Sequence, residues 1–443
     1  MKLILFFVFA AIVLTSCDGD PNEDLPEVPG DARVIIVGAG AAGLYAAKVL
    51  ADNNVDFLIL EASDEIGGRL KKNADFTSFP LDMGAEWIHG NRALTYQMTR
   101  DQDIEIFSDE SPTGFWYDGQ FFDYDVLPEK FDRAERYLSG DAINQPDETF
   151  REWSLSQGYD ENDFSLLESL VNDTGGASDK VSLPNGTQEG EQWTAGSGDF
   201  KLRNQTYFDL IHDTVMPAIQ DKILLNSPVT NIRLEGDKVL VTAGDETHEA
   251  DRVIVTVSVN VLKKELIKFE PALEDRKKTA INQIGMDAGM KVYLKFDENF
   301  FETTIVGAEQ SPFYYDAGYE KNAATPTLGL FITGRNAQEL SDMPESDAIQ
   351  AIIDELDIIH QGKASAHYSG EYIIQDWTKE PYVLGAYSYA TVGMGNARAI
   401  LAEPVQNKIF FAGEATHLEG HNSTVHGAME TGEREAINVI RSF

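Results

Sequence analysis

The chain has 443 residues, more than one hydrophobic core normally accommodates, and its 42% hydrophobic and 25% charged content is that of a folded globular protein. With 74 acidic against 35 basic residues the net charge is -39, which argues against a nucleic-acid partner and favours cationic ligands or plain solubility. Cys17 is the single cysteine, so an intrachain disulfide framework and a redox-active cysteine pair are both excluded.

Residues 3–14 form an apolar run behind Lys2, too short to span a bilayer as a mature helix but suited to the core of a signal peptide. The run ends in Leu14-Thr15-Ser16-Cys17, which resembles a bacterial lipobox. Residues 1–16 are therefore expected to be removed on export and Cys17 to carry a lipid, tying the protein to the cell envelope on its periplasmic or outer side. Acids and prolines over 18–30 read as a flexible tether, with the folded body starting near Asp31. No second segment of spanning length follows, so the lipid is the only membrane contact expected.

Val34 to Val37 is a buried strand running into Gly38-Ala39-Gly40-Ala41-Ala42-Gly43, then a helical pattern and a second strand ending at Glu61. Gly38 permits the sharp turn, Gly40 lets backbone approach a pyrophosphate and Gly43 allows close helix–strand packing. Negative charge then sits at a helix N-terminus, where free N–H groups and the dipole favour it. Glu61 fits the acid that holds ribose hydroxyls. Gly38, Gly40, Ala42, Gly43 and Glu61 are thus expected against a dinucleotide. Gly67-Gly68-Arg69 adds a second diphosphate anchor through Gly68 and Arg69, which selects FAD over a nicotinamide cofactor. With no cysteine in the body of the chain, a cysteinyl link is excluded and the FAD is expected to be non-covalent.

Amphipathic stretches at 129–138 and 161–171 predict helices of an inserted substrate domain, and a helical pattern covers 200–215. Alternating β-branched runs at 229–234 and 238–242, joined by Gly-Asp turns, predict an antiparallel meander returning to a buried strand at 252–257. Strands are expected at 291–296, 328–333 and 371–376, a helix at 347–358, then a buried strand at 409–411 and a closing helix at 425–440. The fold expected is α/β: a FAD-binding Rossmann-like domain of the glutathione reductase type from 31–110, 196–265 and 395–443. A second α+β substrate domain takes 111–195 and 266–394, so both are discontinuous.

Taken in order, these blocks resemble the flavin-containing amine oxidases, and within them the polyamine and spermine oxidase branch. The resemblance runs from about Arg33 to the C-terminus and rests on the glycine fingerprint with GGR, GAEWIHG, VIVTVSVNVLK, MKVYLKF, WTKEPYVLGAYSY and FAGEATHLEGHNSTVHGAMETG. It implies FAD-dependent oxidation of an amine, most simply a polyamine, with O2 reduced to H2O2 and turnover rising toward alkaline pH. Lys291 matches the lysine that holds a water at flavin N5, and His89 falls in the amine pocket. Of Tyr387 and Tyr389, which alternate along a strand, Tyr387 is assigned to the aromatic wall beside the flavin. Gly84, Ala85, Glu86 and Trp87 fall where backbone and indole lie along the flavin, Val229 on the adenine side, and Glu414 beside the polyhydroxyl chain and diphosphate. Thr424 and Val425 open the helix facing flavin N1 and O2; Thr424 also replaces a second cage tyrosine.

Ser258, Asn260, Gln205 and Thr206 depart from the family pattern in backbone-shaping positions. Glu189 and Glu191 are the candidate acids for distal amines. An L-amino acid oxidase would need an arginine fork for the carboxylate, for which Arg92 and Arg335 are the candidates. The same blocks leave room for a monoamine oxidase, or for a lipoprotein that binds flavin or polyamines without catalysis. No metal site is expected, and the oligomeric state is left open.

Overall fold

The computed structural model describes residues 25, 28, 30, 33–123, 126, 128–301 and 303–443. Residues 1–16, read above as a signal peptide, and Cys17 lie outside them. Leu25 and Val28, expected in a free tether, instead pack half-buried against the body.

Five strands form one parallel sheet in the order Ile223–Leu224, Asp56–Leu60, Arg33–Val37, Arg252–Val255 and Ile409–Phe411. Strands buried on both faces read as continuous apolar runs, and here alternate residues divide the sheet into two cores. Val34 and Ile36 face the helices Ala41–Asp52, Tyr207–Ile219 and Val425–Arg441. Ile35 and Val37 face an antiparallel meander, Val229–Glu235, Lys238–Ala243 and Glu246–Ala250. The meander also takes a parallel strand, Lys268–Glu270. Residues 267–286, expected in the second domain, pack into this core through Ile267, Phe269, Ile281 and Met286, so the boundary falls beyond 265.

A second sheet of seven strands holds Gly289–Phe296 between Tyr368–Asp376 and Thr327–Thr333. Helices Gly334–Asp342 and Glu345–His360 cover it. Its far edge is a hairpin, Thr113–Tyr117 with Gln120–Asp123. The Asp118-Gly119 turn between them is the short-range signal that marks it.

Two helical expectations are corrected. The 200–215 segment begins as a strand, Asp199–Leu202, held between Ile88–His89 and Ile106–Ser108. Its helix starts only at Tyr207, after Thr206 and Asp209 exchange side-chain and backbone hydrogen bonds as a reciprocal cap. Residues 129–138 are a broken run: a single 3-10 turn Glu129–Phe131, then the helix Asp132–Arg136, then a wide turn over Tyr137–Asp141 where Gly140 has φ 141°.

Candidate active site

The C-terminal end of the parallel sheet opens into a cavity of about 2100 Å³ that extends beneath the second sheet, long enough for a dinucleotide and a substrate together. All the residues expected against the cofactor line it except Gly43.

Gly43 acts by packing. A Cβ there would lie 2.0 Å from the Gly38 carbonyl oxygen, while Gly38 has φ +104° and leaves no room beside Thr256. At Gly40 a Cβ would meet nothing nearer than 3.9 Å, leaving an open cradle. The helix it opens has no side-chain cap and no acid in its first turn. Its first N–H groups are therefore left for an anion. Gly67 N–H donates to Ala39 O at 2.8 Å, folding the Gly-Gly-Arg loop back onto this turn. Glu61 lines the cavity as expected, and its carboxylate also braces the turn by accepting from Ala39 N–H at 2.6 Å and from Ser63. These features fit the adenine half and diphosphate of FAD.

Glu414 differs from expectation. Its carboxylate accepts from Arg69 Nη1 at 2.9 Å, from Ser388 Oγ at 2.6 Å, and from the Ser388 and Ser423 N–H groups at 3.2 and 3.0 Å. Burial alone would raise its pKa, but Arg69, Arg398 and Ser388 hold it below the usual carboxylate range. Four protein donors fill its acceptor positions. It therefore fixes Arg69 rather than offering lone pairs to a ligand. Arg398 also takes Glu189 at 2.6 Å, which removes Glu189 as a free acid, and Glu191 does not line the cavity.

Lys291 and Glu86 are both almost fully buried, with Lys291 Nζ 2.6 Å from Glu86 Oε2 and 3.0 Å from Asp82 O. Glu86 was expected to contribute backbone; its side chain is the lysine's anion. Tyr315 OH donates to the same oxygen at 2.7 Å. A second buried lysine, Lys201, lies 3.3 Å from Glu86 Oε1 and 3.2 Å from Asp109, which also accepts from Trp87 Nε1 at 2.8 Å. Both ammonium groups flank the Trp87 ring, at 4.5 and 5.1 Å from its centroid. Burial would raise Glu86, but the lysines pull it well below the ordinary range, whereas burial and the Glu86 charge push Asp82 up to about 7.

His89 and Asp199 sit directly opposite in paired strands, with Nδ1 2.7 Å from Oδ1. Tyr387 lines the cavity, donates to Asp173 O at 3.0 Å and stacks on Phe331 at 6.4 Å between centroids. Tyr389 packs in the helical lobe core instead, although it reaches the cavity wall. Asp173 borders the cavity, its carboxylate takes no hydrogen bond from the described residues, and its pKa is pushed up to about 6 by desolvation. Of the two arginines weighed for a carboxylate, Arg92 lines the cavity, while Arg335 pairs with Asp179 at 2.8 Å away from it.

Thr424 caps the closing helix, accepting from Gly427 N–H at 2.9 Å, and the helix start lines the cavity beside Val425. The loop before it is pinned by Glu430, which lies 2.9 Å from His417 Nε2 and 2.7 Å from His421 Nδ1. The other nitrogens of both rings accept backbone N–H groups, so the nitrogens facing Glu430 carry the hydrogens. That tautomer suits a hydrogen-bonded clamp and not a metal ion. Lys201, Asp109, Asp173, Asp199, Ser388 and Arg398 were not anticipated. Asp199, Lys201 and Ser388 lie in strands, Arg398 in a helix, and Asp109 and Asp173 in a loop and a turn, so no shared sequence pattern marks them.

A dinucleotide sheet with an open diphosphate cradle and a buried lysine facing the same cavity defines a flavin-dependent oxidoreductase. The chain belongs to the flavin containing amine oxidoreductase family, matched over residues 41–440. Polyamine oxidase 4 of Oryza sativa subsp. japonica is 28% identical over 438 residues, covering 90% of this chain and 86% of that protein. Mouse lysine-specific histone demethylase 1B is 27% identical, covering 94% of this chain and 54% of its own length. Among solved structures, cyclohexylamine oxidase from Brevibacterium oxydans has a similar fold, with TM-score 0.77 at 21% identity over 93% of this chain and 99% of that one. A putrescine oxidase is similar in fold to the same degree, with TM-score 0.77 and 21% identity over 92% and 99% of the two chains. The protein is a FAD-dependent amine oxidase.

Proposed function

We propose that the substrate is a polyamine or a comparable multiply charged amine, oxidised at a carbon next to nitrogen, with O2 reduced to H2O2. The observation that carries this reading is the acidic lining at Asp173 and Asp199. Asp173 faces the cavity and its carboxylate takes no hydrogen bond from the described residues, so it is open to pair with a cationic nitrogen. The similarity to proteins named polyamine oxidases supports the same class. FAD supplies the two-electron chemistry when bound.

The chain's own residues bind and orient. Gly40 and the helix behind it, with Gly68 and Arg69, receive the diphosphate; Trp87, Tyr387 and the Thr424–Val425 helix start frame the flavin ring. Lys291 keeps a buried positive charge beside it, which favours the reduction of O2 to an anion. Val229 and Glu61 complete the adenine and ribose side. The substrate ranking tests the reading: kcat/KM highest for spermine, spermidine or their acetylated forms supports it, and a preference for simple monoamines or L-amino acids rejects it. Arg92 is the residue that an amino acid substrate would use.

We also propose an exported, lipid-anchored protein from the Leu14-Thr15-Ser16-Cys17 sequence, which lies outside the described residues. Among those residues no helix is long and apolar enough to cross a membrane. Fatty-acid labelling that is lost in Cys17→Ser supports the anchor, and labelling unchanged in that variant rejects it.

A further inference from the structure

An aliphatic amine reaches the enzyme protonated, since its ammonium has a pKa near that of lysine, about 10.4. In that form the nitrogen has no lone pair to stabilise the carbon that is to lose a hydride. A proton must leave first, to water or to a side chain of the cavity.

We infer that Asp199 orients His89 as the acceptor of that proton, an inference that rests on the amine-oxidation reading above. The strand register sets the pair: Ile88 turns into the core while His89 projects from the opposite face, directly across from Asp199. Nδ1 lies 2.7 Å from Asp199 Oδ1, so it carries the ring hydrogen and Nε2 presents a lone pair. Nε2 makes no hydrogen bond among the described residues and is not a sealed buried atom. About half of the His89 side chain, 49%, is accessible against 22% for Asp199, and both residues line the cavity. The free nitrogen is therefore open to a ligand while its partner holds the ring from behind.

The other charged groups around the ring agree with this role. Asp173, in the turn after the helix Phe164–Val171, is the second acid acting on His89. His426, fully buried at the start of the closing helix, is held neutral, with its pKa lowered by burial to about 3. Burial would lower the His89 pKa, and the two acids, Asp199 above all, outweigh it and raise it. In the step itself the substrate N–H bond breaks, its electron pair stays on nitrogen, and the proton forms an Nε2–H bond. The resulting imidazolium is stabilised by Asp199. FAD, when bound, would supply the two-electron acceptor for oxidation of the neutral amine at the adjacent carbon, and water would hydrolyse the iminium product. Asp199 touches neither substrate nor cofactor in this scheme: it is a positioning residue, and His89 is the catalytic one.

The test uses the holoenzyme without oxygen, with spermine as the probe, and follows flavin bleaching across pH 6 to 10 for the wild type, Asp199→Asn, Asp199→Glu and His89→Asn. Asp199→Asn is expected to lower the plateau rate about 10- to 100-fold and Asp199→Glu to recover most of it, as general base catalysis is worth roughly 10²–10⁴. In parallel, the His89 imidazole is titrated by NMR in the flavin-loaded, amine-free protein. Loss of the Asp199 charge is expected to lower its midpoint by about one pH unit. A role in stability alone would reduce flavin content but leave that midpoint in place. The inference is overturned if Asp199→Asn bleaches within twofold of the wild type with the same pH profile, or if the imidazole midpoint is unchanged. If no amine bleaches wild-type flavin, amine oxidation itself is rejected, which the imidazole titration cannot mimic.

Discussion

Lys291 Nζ lies 2.6 Å from Glu86 Oε2, inside the protein and at the cavity wall. The other oxygen of the same carboxylate faces Lys201 at 3.3 Å, so one buried anion serves two buried cations, and Asp109 balances the second. Buried charges survive only when paired and hydrogen-bonded. This cluster therefore keeps a positive charge at Lys291 on the cavity wall without leaving an orphan.

Lys291→Met removes the cation that faces the cavity while Lys201 still pairs with Glu86. Flavin content is expected to stay near the wild-type level and reoxidation of the reduced enzyme by O2 to slow at least about tenfold, as for loss of one electrostatic contact in a dry site. Stopped-flow mixing of reduced enzyme with O2 measures it; an unchanged rate removes the role assigned to Lys291.

Lys201→Met breaks the cluster from behind. It leaves Asp109 and half of Glu86 unpaired, at a cost of about 3–5 kcal/mol, as when one partner of a buried ion pair is deleted. Denaturant unfolding is expected to show that loss, and the double variant Lys201→Met/Asp109→Asn to recover part of it. Equal losses in both would show that the Asp109 charge is not coupled to Lys201.

Much of this was legible in the sequence for a physical reason. The glycine turn works through backbone shape, and Gly38, Gly40 and Gly43 therefore announce themselves by position alone. Buried parallel strands such as Ile409–Phe411 are equally plain, because covering both faces leaves an uninterrupted apolar run. The 200–206 segment misled because Phe200 and Leu202 stand at helical spacing from Tyr207 and Leu210 further on, and only the pairing of Phe200 with Ile88 and of Leu202 with Ile106 makes this stretch a strand. The pairings of the Glu86 side chain, Lys201 and Asp199 were hidden for the same reason. Each of the three is a polar residue whose meaning comes from a partner brought close by the fold, and for all three that partner is more than a hundred positions away.

Arg69 and Glu414 meet at 2.9 Å across 345 positions. Glu414→Gln keeps the shape and removes the charge that holds the guanidinium. FAD affinity is expected to fall about 10- to 100-fold, the worth of one charge-assisted hydrogen bond, about 1.5–3 kcal/mol. Fluorescence titration of apoprotein with FAD reads it, and an unchanged Kd would mean that Arg69 does not need the clamp.

Glu430 gives a pH signature. Burial would raise its pKa, but hydrogen bonds from His417 and His421 lower it to about 2. A carboxylate depressed on folding adds stability that is complete above its unfolded value, about 4.3, and is lost as pH falls through the folded one. Glu430→Gln is therefore expected to melt lower than the wild type at pH 7, with the gap closing as pH falls from about 4.5 to about 2. Melting curves across that range check the sign, and a gap that widens on acidification contradicts it.

The most direct test of amine oxidation is anaerobic: purified holoenzyme is mixed with spermine, spermidine, N-acetylated polyamines, putrescine, simple monoamines and L-amino acids, and the flavin absorbance near 450 nm is followed. Rapid bleaching by polyamines is expected, with the monoamines and L-amino acids slower. A flavin that dithionite reduces but no amine in the panel bleaches would contradict it.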